Sequence, residues 1–188
     1  LRNIFLLAVS WFFYYKTCGL FLLILVFITL SDWLIAERIH NAKIEKRETR
    51  AKWWLTLSVV IDLGLLCYFK YAYFFTNVVN DLLGTEFMVF DIFAYIGNGL
   101  SASGRFMVDS IILPVGISFY LFQVMSYTID VYRGQVKPVK SILDFGFYVS
   151  FFPSLVAGPI VRANEFIPQL YRPFRLSRRL AGLAVFWI

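Results

Sequence analysis

Two cysteines and one histidine are the whole supply of thiol and imidazole in 188 residues. Cys18 and Cys67 lie at or within apolar stretches and make neither a metal spacing nor a disulfide framework, so they read as packing residues. The chain has no glycine-rich phosphate loop, no HExxH and no GxSxG, which leaves out the usual signatures of phosphate binding, zinc proteolysis and serine hydrolysis. Internal repeats and low-complexity tracts are missing too. So is a signal-peptide pattern: the first apolar run, Ile4 to Tyr15, has no small-residue cleavage site after it and leads within a few residues into a second run. Leu1 in place of a Met, and a last run, LAGLAVFWI, that stops in mid-pattern at Ile188, give the expectation of a piece of a longer protein.

What the chain has in abundance is apolar surface. Hydrophobic residues make up 60% and aromatics 20%, with a mean hydropathy of +0.70, against roughly 45–50% apolar content in an ordinary soluble domain. They come in long unbroken runs rather than periodic stripes, so the expected solvent is a bilayer. The formal charge of +6 does not point to nucleic acid, because the basic residues sit in short loops beside apolar segments. That is the pattern of cytoplasmic loops in a multi-pass membrane protein.

Residues 4–15 and 20–36 are separated only by Lys16, Thr17, Cys18 and Gly19, which predicts a helical hairpin over 4–36. Between Glu37 and Lys52, six basic residues meet three acidic ones, which places the 37–52 loop in the cytoplasm. Trp53 and Trp54 mark the interface and open a membrane helix over 54–75. Asn77, Asn80, Asp81, Gly84, Asn98, Gly99 and Gly104 break up 76–108 into a loop with an interfacial segment. A second membrane helix is expected over 111–131, with Arg133, Lys137 and Lys140 returning to the cytoplasm. Pro153, Gly158 and Pro159 cut 145–161 into pieces too short for a hydrocarbon core of about 30 Å, and basic residues flank it on both sides. A re-entrant hairpin over 145–161 meets both facts, followed by a basic cytoplasmic segment over 162–179 and the start of a further helix over 180–188. The whole reads as an all-α, polytopic transmembrane helical bundle.

Two strings are more specific than their composition: LPVGISFYLFQVMSYTIDVYRG at 113–134 and FFPSLVAGPIVR at 151–162. With DLGLLCYFKYAYFF at 62–75 and RNIFLLAVSWFFYY at the start, they resemble the membrane-bound O-acyltransferase family, in particular its bacterial alginate O-acetyltransferase branch. The resemblance implies a multi-helix enzyme that takes an acyl group, usually acetyl, from a cytoplasmic donor such as acetyl-CoA and delivers it toward an extracytoplasmic polysaccharide. It also implies an extracytoplasmic acyltransferase partner, a home in the bacterial inner membrane, no resident cofactor, no metal and no nucleic acid. The family's catalytic histidine matches nothing here and is expected beyond Ile188, so this segment should be inactive alone.

His40, the single histidine, sits in the basic loop outside those strings and reads as a solvated residue rather than a general base. Asp62 and Lys70 interrupt an apolar segment, where charge is costly. Eight residues of helix put them about 12 Å apart along the axis and about 80° apart around it, so Asp62 should reach another helix while Lys70 snorkels to the interface. Tyr120, Gln123, Tyr127 and Asp130, spaced by three, four and three, form one polar stripe. That stripe could line a substrate passage together with Pro153, Gly158 and Pro159, or simply bond neighbouring helices. Arg133 and Arg162 are candidate contacts for a donor or lipid phosphate, with an Asp130–Arg133 ion pair as the simpler role of the first. Arg172, Arg175, Arg178 and Arg179 read as cytoplasmic anchoring. A transporter or channel subunit with intramembrane Asp and Lys sites is the rival class, and a non-enzymatic scaffold the third.

Overall fold

The computed structural model describes residues 2–95, 111–156, 158 and 161–171. Their regular structure is entirely helical, with no strand among the described residues, as an all-α reading requires. Two helical runs, Arg2–Ile44 and Glu48–Leu83, contain stretches long and apolar enough to cross a membrane.

The first run divides at Gly19. Helix α1 (Arg2–Cys18) passes through one tight turn, Gly19–Phe21, into α2 (Leu22–Ile44). Gly19 takes φ +59, a left-handed setting that a residue without Cβ adopts without strain. The consequence is a reversal of direction. A Cβ built on Gly146 would lie 3.6 Å from Leu7 and 3.8 Å from Thr29, whereas 22 residues of straight helix would span about 33 Å. The two arms therefore fold back at an angle and hold Gly146 between them, packing on its helix more than on each other.

Helix α3 (Glu48–Leu66) returns along α2 after a turn in which Lys46 sits at φ 56. It starts well before the expected residue 54, because Glu48 to Lys52 extend the helix into the polar zone. It then widens into a π-turn at Cys67–Tyr71 and continues as α4 (Ala72–Leu83), ended by Gly84 at φ 63. The helical run thus passes the expected end at 75 by two turns. The π-turn directs Phe69 inward, where its ring packs against Phe21, Tyr68 and Phe93.

Helix α5 (Ile117–Tyr132) packs against both α2 and α3. It begins later than the expected 111, because Gly116 caps it at φ +75 and Pro114 precedes that cap. A Cβ on Gly116 would also stand 2.6 Å from the carbonyl oxygen of Leu155. Both its conformation and its contact exclude any larger residue. Helix α6 (Ile142–Val149), capped by Ser141, then α7 (Phe152–Val156) and α8 (Ala163–Tyr171) complete the described chain. The break between α6 and α7 falls at Ser150, whose hydroxyl donates to Gly146 O at 2.6 Å. Pro153 lies in the first turn of α7, where a missing N–H costs nothing. Pro159 and the four arginines of 172–179 lie outside the described residues, as does the helix start at 180–188.

The largest fully buried side chains, Tyr120, Tyr127, Tyr148, Phe145, Leu25, Ile28 and Ile39, gather where α2, α3, α5 and α6 meet. Outward-facing positions are nearly as apolar: Phe5, Phe12, Phe27, Val60 and Phe74 all stand more than half exposed. A helix that is apolar all round belongs in lipid or against further protein.

Candidate functional site

The core of this bundle is not uniformly apolar. Asp32 on α2, Ser58 and Asp62 on α3, and Tyr120 and Thr128 on α5 are all buried, with relative exposures of 1% or less. Ser58 Oγ donates to Asp32 Oδ1 at 2.5 Å and lies 3.3 Å from Thr128 Oγ1. Thr128 directs its own proton to backbone, with Met125 O at 3.0 Å. Asp62 stands close enough to Asp32 for the two carboxylates to interact, and close enough to Tyr120 for the phenol to feel its charge. Asp32 Oδ2, both oxygens of Asp62 and Tyr120 Oη find no hydrogen-bond partner among the described residues.

The α5 stripe is buried as its spacing required, and its members divide their attention. Gln123 Nε2 donates to Tyr148 O at 2.8 Å, and Tyr127 Oη accepts from Val139 N at 3.0 Å. Both tie α5 to the α6 side of the bundle. Tyr120 lies near Asp62 and Tyr14, whose hydroxyl donates to Val115 O at 3.2 Å, and Tyr127 lies near Asp32. Asp130 is buried near the helix end. It makes no ion pair with Arg133, whose side chain stands exposed beyond the end of α5. The ion pairs among the described residues are Lys43–Glu48 and Arg47–Glu45, both on the surface.

Pro153 and Arg162 are exposed, and Gly158 is half-buried. A Cβ on Gly158 would fall 2.5 Å from Ser154 Cα, so this glycine permits a close backbone approach. Neither of these glycine and proline positions joins the Asp32–Asp62 cluster. Lys70 is exposed, with its ammonium 5.5 Å from the Tyr71 ring centroid, while Asp62 points inward. His40 is half-buried near the end of α2.

Sequence reasoning singled out Asp62 and Tyr120 and passed over Asp32, Ser58 and Thr128. Asp32 carried the same signal as Asp62, an acid inside an apolar run. Ser58 and Thr128 carried none, since single hydroxyls are common in membrane helices. No group of three or more His, Cys, Asp and Glu gathers among the described residues.

A second acid, Asp144 on α6, is fully served. Asn3 Nδ2 donates to its Oδ1 at 2.7 Å, and the Tyr171 hydroxyl donates to its Oδ2. That bond, more than burial, pushes the Tyr171 phenol up to about 12. Arg2 adds a bond from its guanidinium to Leu170 O, so α1, α6 and α8 are fastened together.

Bundled apolar helices with a buried polar face define an integral membrane protein of the helical class. Against known proteins, the chain is similar to the “Probable alginate O-acetylase AlgI” of Azotobacter vinelandii, at 37% identity over 98% of this chain and 34% of that protein. Its likeness to the protein of the same name from Pseudomonas aeruginosa is 38%, over 89% of this chain and 29% of the relative. A “Peptidoglycan O-acetyltransferase” of Helicobacter pylori matches at 27%, over 89% of this chain and 32% of its own. The chain spans about a third of the length of the curated relatives it matches. No protein-family model and no solved structure matches it. The chain is thus a homologue of the bacterial alginate O-acetylases, the branch of the membrane-bound O-acyltransferase family that its strings at 113–134 and 151–162 resemble.

Proposed function

We propose that the full-length protein is a multi-pass O-acetyltransferase of the bacterial inner membrane, carrying acetyl groups from a cytoplasmic donor such as acetyl-CoA toward an extracytoplasmic polysaccharide of the alginate type. The observation that carries this reading is the identity of 37% with a probable alginate O-acetylase along 98% of the chain. The charge pattern supports its orientation. The loops at 37–52 and 132–140 and the segment at 162–179 are rich in Lys and Arg and belong on the cytoplasmic side, where the donor is.

The chemistry is acyl transfer to a hydroxyl. A general base takes the acceptor's proton, the oxygen forms a bond to the acetyl carbonyl carbon, and the thioester C–S bond breaks to release a thiolate that regains a proton. The family's histidine, which this segment does not contain, is the base. An extracytoplasmic acyltransferase partner completes delivery to the glycan. The present helices contribute the scaffold that holds such a site at membrane depth, with Gln123 bonding α5 to α6 and Tyr127 bonding it to the loop before α6.

The test is genetic and chemical. Deleting the full-length gene in the organism that carries it should remove most ester-linked acetyl from the secreted polysaccharide, and restoring the gene should return it. Unchanged acetyl content would overturn the reading.

A further inference from the structure

The turn that joins α2 to α3 opens a cleft of about 710 Å³, within the size range of small-molecule sites. Lys46, Arg47, Thr49, Arg50, Trp53 and Trp54 line it, together with Glu48. That acid is already engaged. Its two oxygens accept from Lys43 Nζ at 3.1 and 3.0 Å, and the same ammonium stands 4.2 Å from the Tyr132 ring centroid at the end of α5. Arg47 is paired with Glu45 at 3.4 Å. Lys46 and Arg50 have no acidic partner among the described residues, so the cleft keeps two positive charges. Lys46 is also held at φ 56, a left-handed setting that strains a residue with a Cβ. A lysine there carries a cost that the turn itself does not require.

We propose that this cleft binds the headgroup of an anionic phospholipid, with Lys46 and Arg50 facing its phosphate and the Trp53 indole beside its glycerol. Charge alone would suit any phosphate, free or lipid-borne. The α3 surface decides between them. Arg50, Trp53, Leu57 and Val60, spaced by three, four and three, follow one another along one face of the helix. Trp53 is 62% exposed and lies edge-on to Trp54 with ring centroids 5.6 Å apart, while Val60 is 61% exposed. Cation, indole and aliphatic therefore succeed each other in the order in which a lipid presents phosphate, glycerol and acyl chain to a helix entering the membrane. A soluble phosphate would gain nothing from the exposed indole or from Val60. A zwitterionic lipid would bring its ammonium to a cleft whose one acid is committed to Lys43. The site rests on the membrane placement proposed above and not on acetyl transfer.

The measurement is native mass spectrometry of the purified full-length protein in a neutral detergent, titrated with phosphatidylglycerol or with phosphatidylcholine of the same acyl chains. The first phosphatidylglycerol should bind about tenfold more tightly than the first phosphatidylcholine, two cations near the phosphate being worth at least that much. R50Q and K46N should each weaken phosphatidylglycerol binding by about fivefold and leave phosphatidylcholine unchanged. Because asparagine accepts a left-handed turn, K46N should not lower the thermal unfolding midpoint in lipid-free detergent, which separates lost binding from lost fold. K70Q, about 30 Å along the same helical run, should change neither lipid. Equal affinity for the two lipids, an R50Q variant that binds phosphatidylglycerol as the parent does, or a K70Q variant as impaired as R50Q overturns the proposal. So does displacement of phosphatidylglycerol by excess inorganic phosphate, which would give the cleft to a soluble anion. The readout is lipid binding, so this site and the acetyltransferase reading stand or fall separately.

Discussion

The acids of this bundle fall into two kinds, and position along the helix separates them. Asp144 lies in the first turn of α6, and Asp91, whose Oδ2 has no partner among the described residues, immediately precedes a helical turn over 92–95. Asp91 Oδ1 accepts from the N–H groups of Phe93 and Ala94 at 2.9 and 3.0 Å and from the Tyr68 hydroxyl at 3.2 Å. Asp144 is served by Asn3 and Tyr171. Asp32 and Asp62 lie in mid-helix, where every nearby N–H is already committed to the helical ladder, and among the described residues Ser58 alone donates to the pair. Burial is similar in the two sets, while donor supply is not. A buried carboxylate at a helix start can be a structural fastener, whereas one in mid-helix depends on side chains from neighbouring helices.

That comparison can be broken by substitution, with the largest effect expected where compensation is poorest. D62N should stabilise the full-length protein by about 1–3 kcal/mol, because it replaces a buried carboxyl, neither oxygen of which is bonded among the described residues, by a neutral amide of nearly equal volume. The midpoint of unfolding by SDS in mixed micelles reads this directly, and a loss of stability would show that Asp62 is already paired. D144A should move the same midpoint the other way by about 1.5 kcal/mol, since it removes the carboxylate that accepts from half-buried Asn3 and exposed Tyr171. Smallest is D91A, expected to cost about 1 kcal/mol, the ordinary loss of a helix cap.

Much of this arrangement was legible in the residues. The spacing of Tyr120, Gln123, Tyr127 and Asp130 placed them on one face of α5, and all four are buried. Length and apolarity marked the runs that became α1–α2 and α3–α4. Helix ends were less legible. Charge at Glu48–Lys52 does not stop a helix, it only takes the helix out of the hydrocarbon, so the boundary of the membrane and that of α3 differ. The role of Gly116 was hidden for a different reason: its constraint comes from Leu155, 39 positions away in sequence, and no local pattern encodes that contact. Asp32 was hidden by its context, since LFLLILVFITLSDWLIA reads first as an apolar arm, and its importance depends on Asp62 standing opposite.

The π-turn at Cys67–Tyr71 carries a consequence for how this segment tolerates change in length. One extra residue is accommodated there without breaking the helix. Removing a single codon within that stretch would return the run to an ordinary helical repeat and leave α4 on the face it now presents. A deletion within α3 or α4 meets no such slack and would turn everything downstream by about 100°. Phe69, now packed against Phe21 and Phe93, is the side chain that the first deletion would displace. The place of a frame-preserving deletion in this helix therefore decides its damage, although the product differs from the parent by one residue in either case.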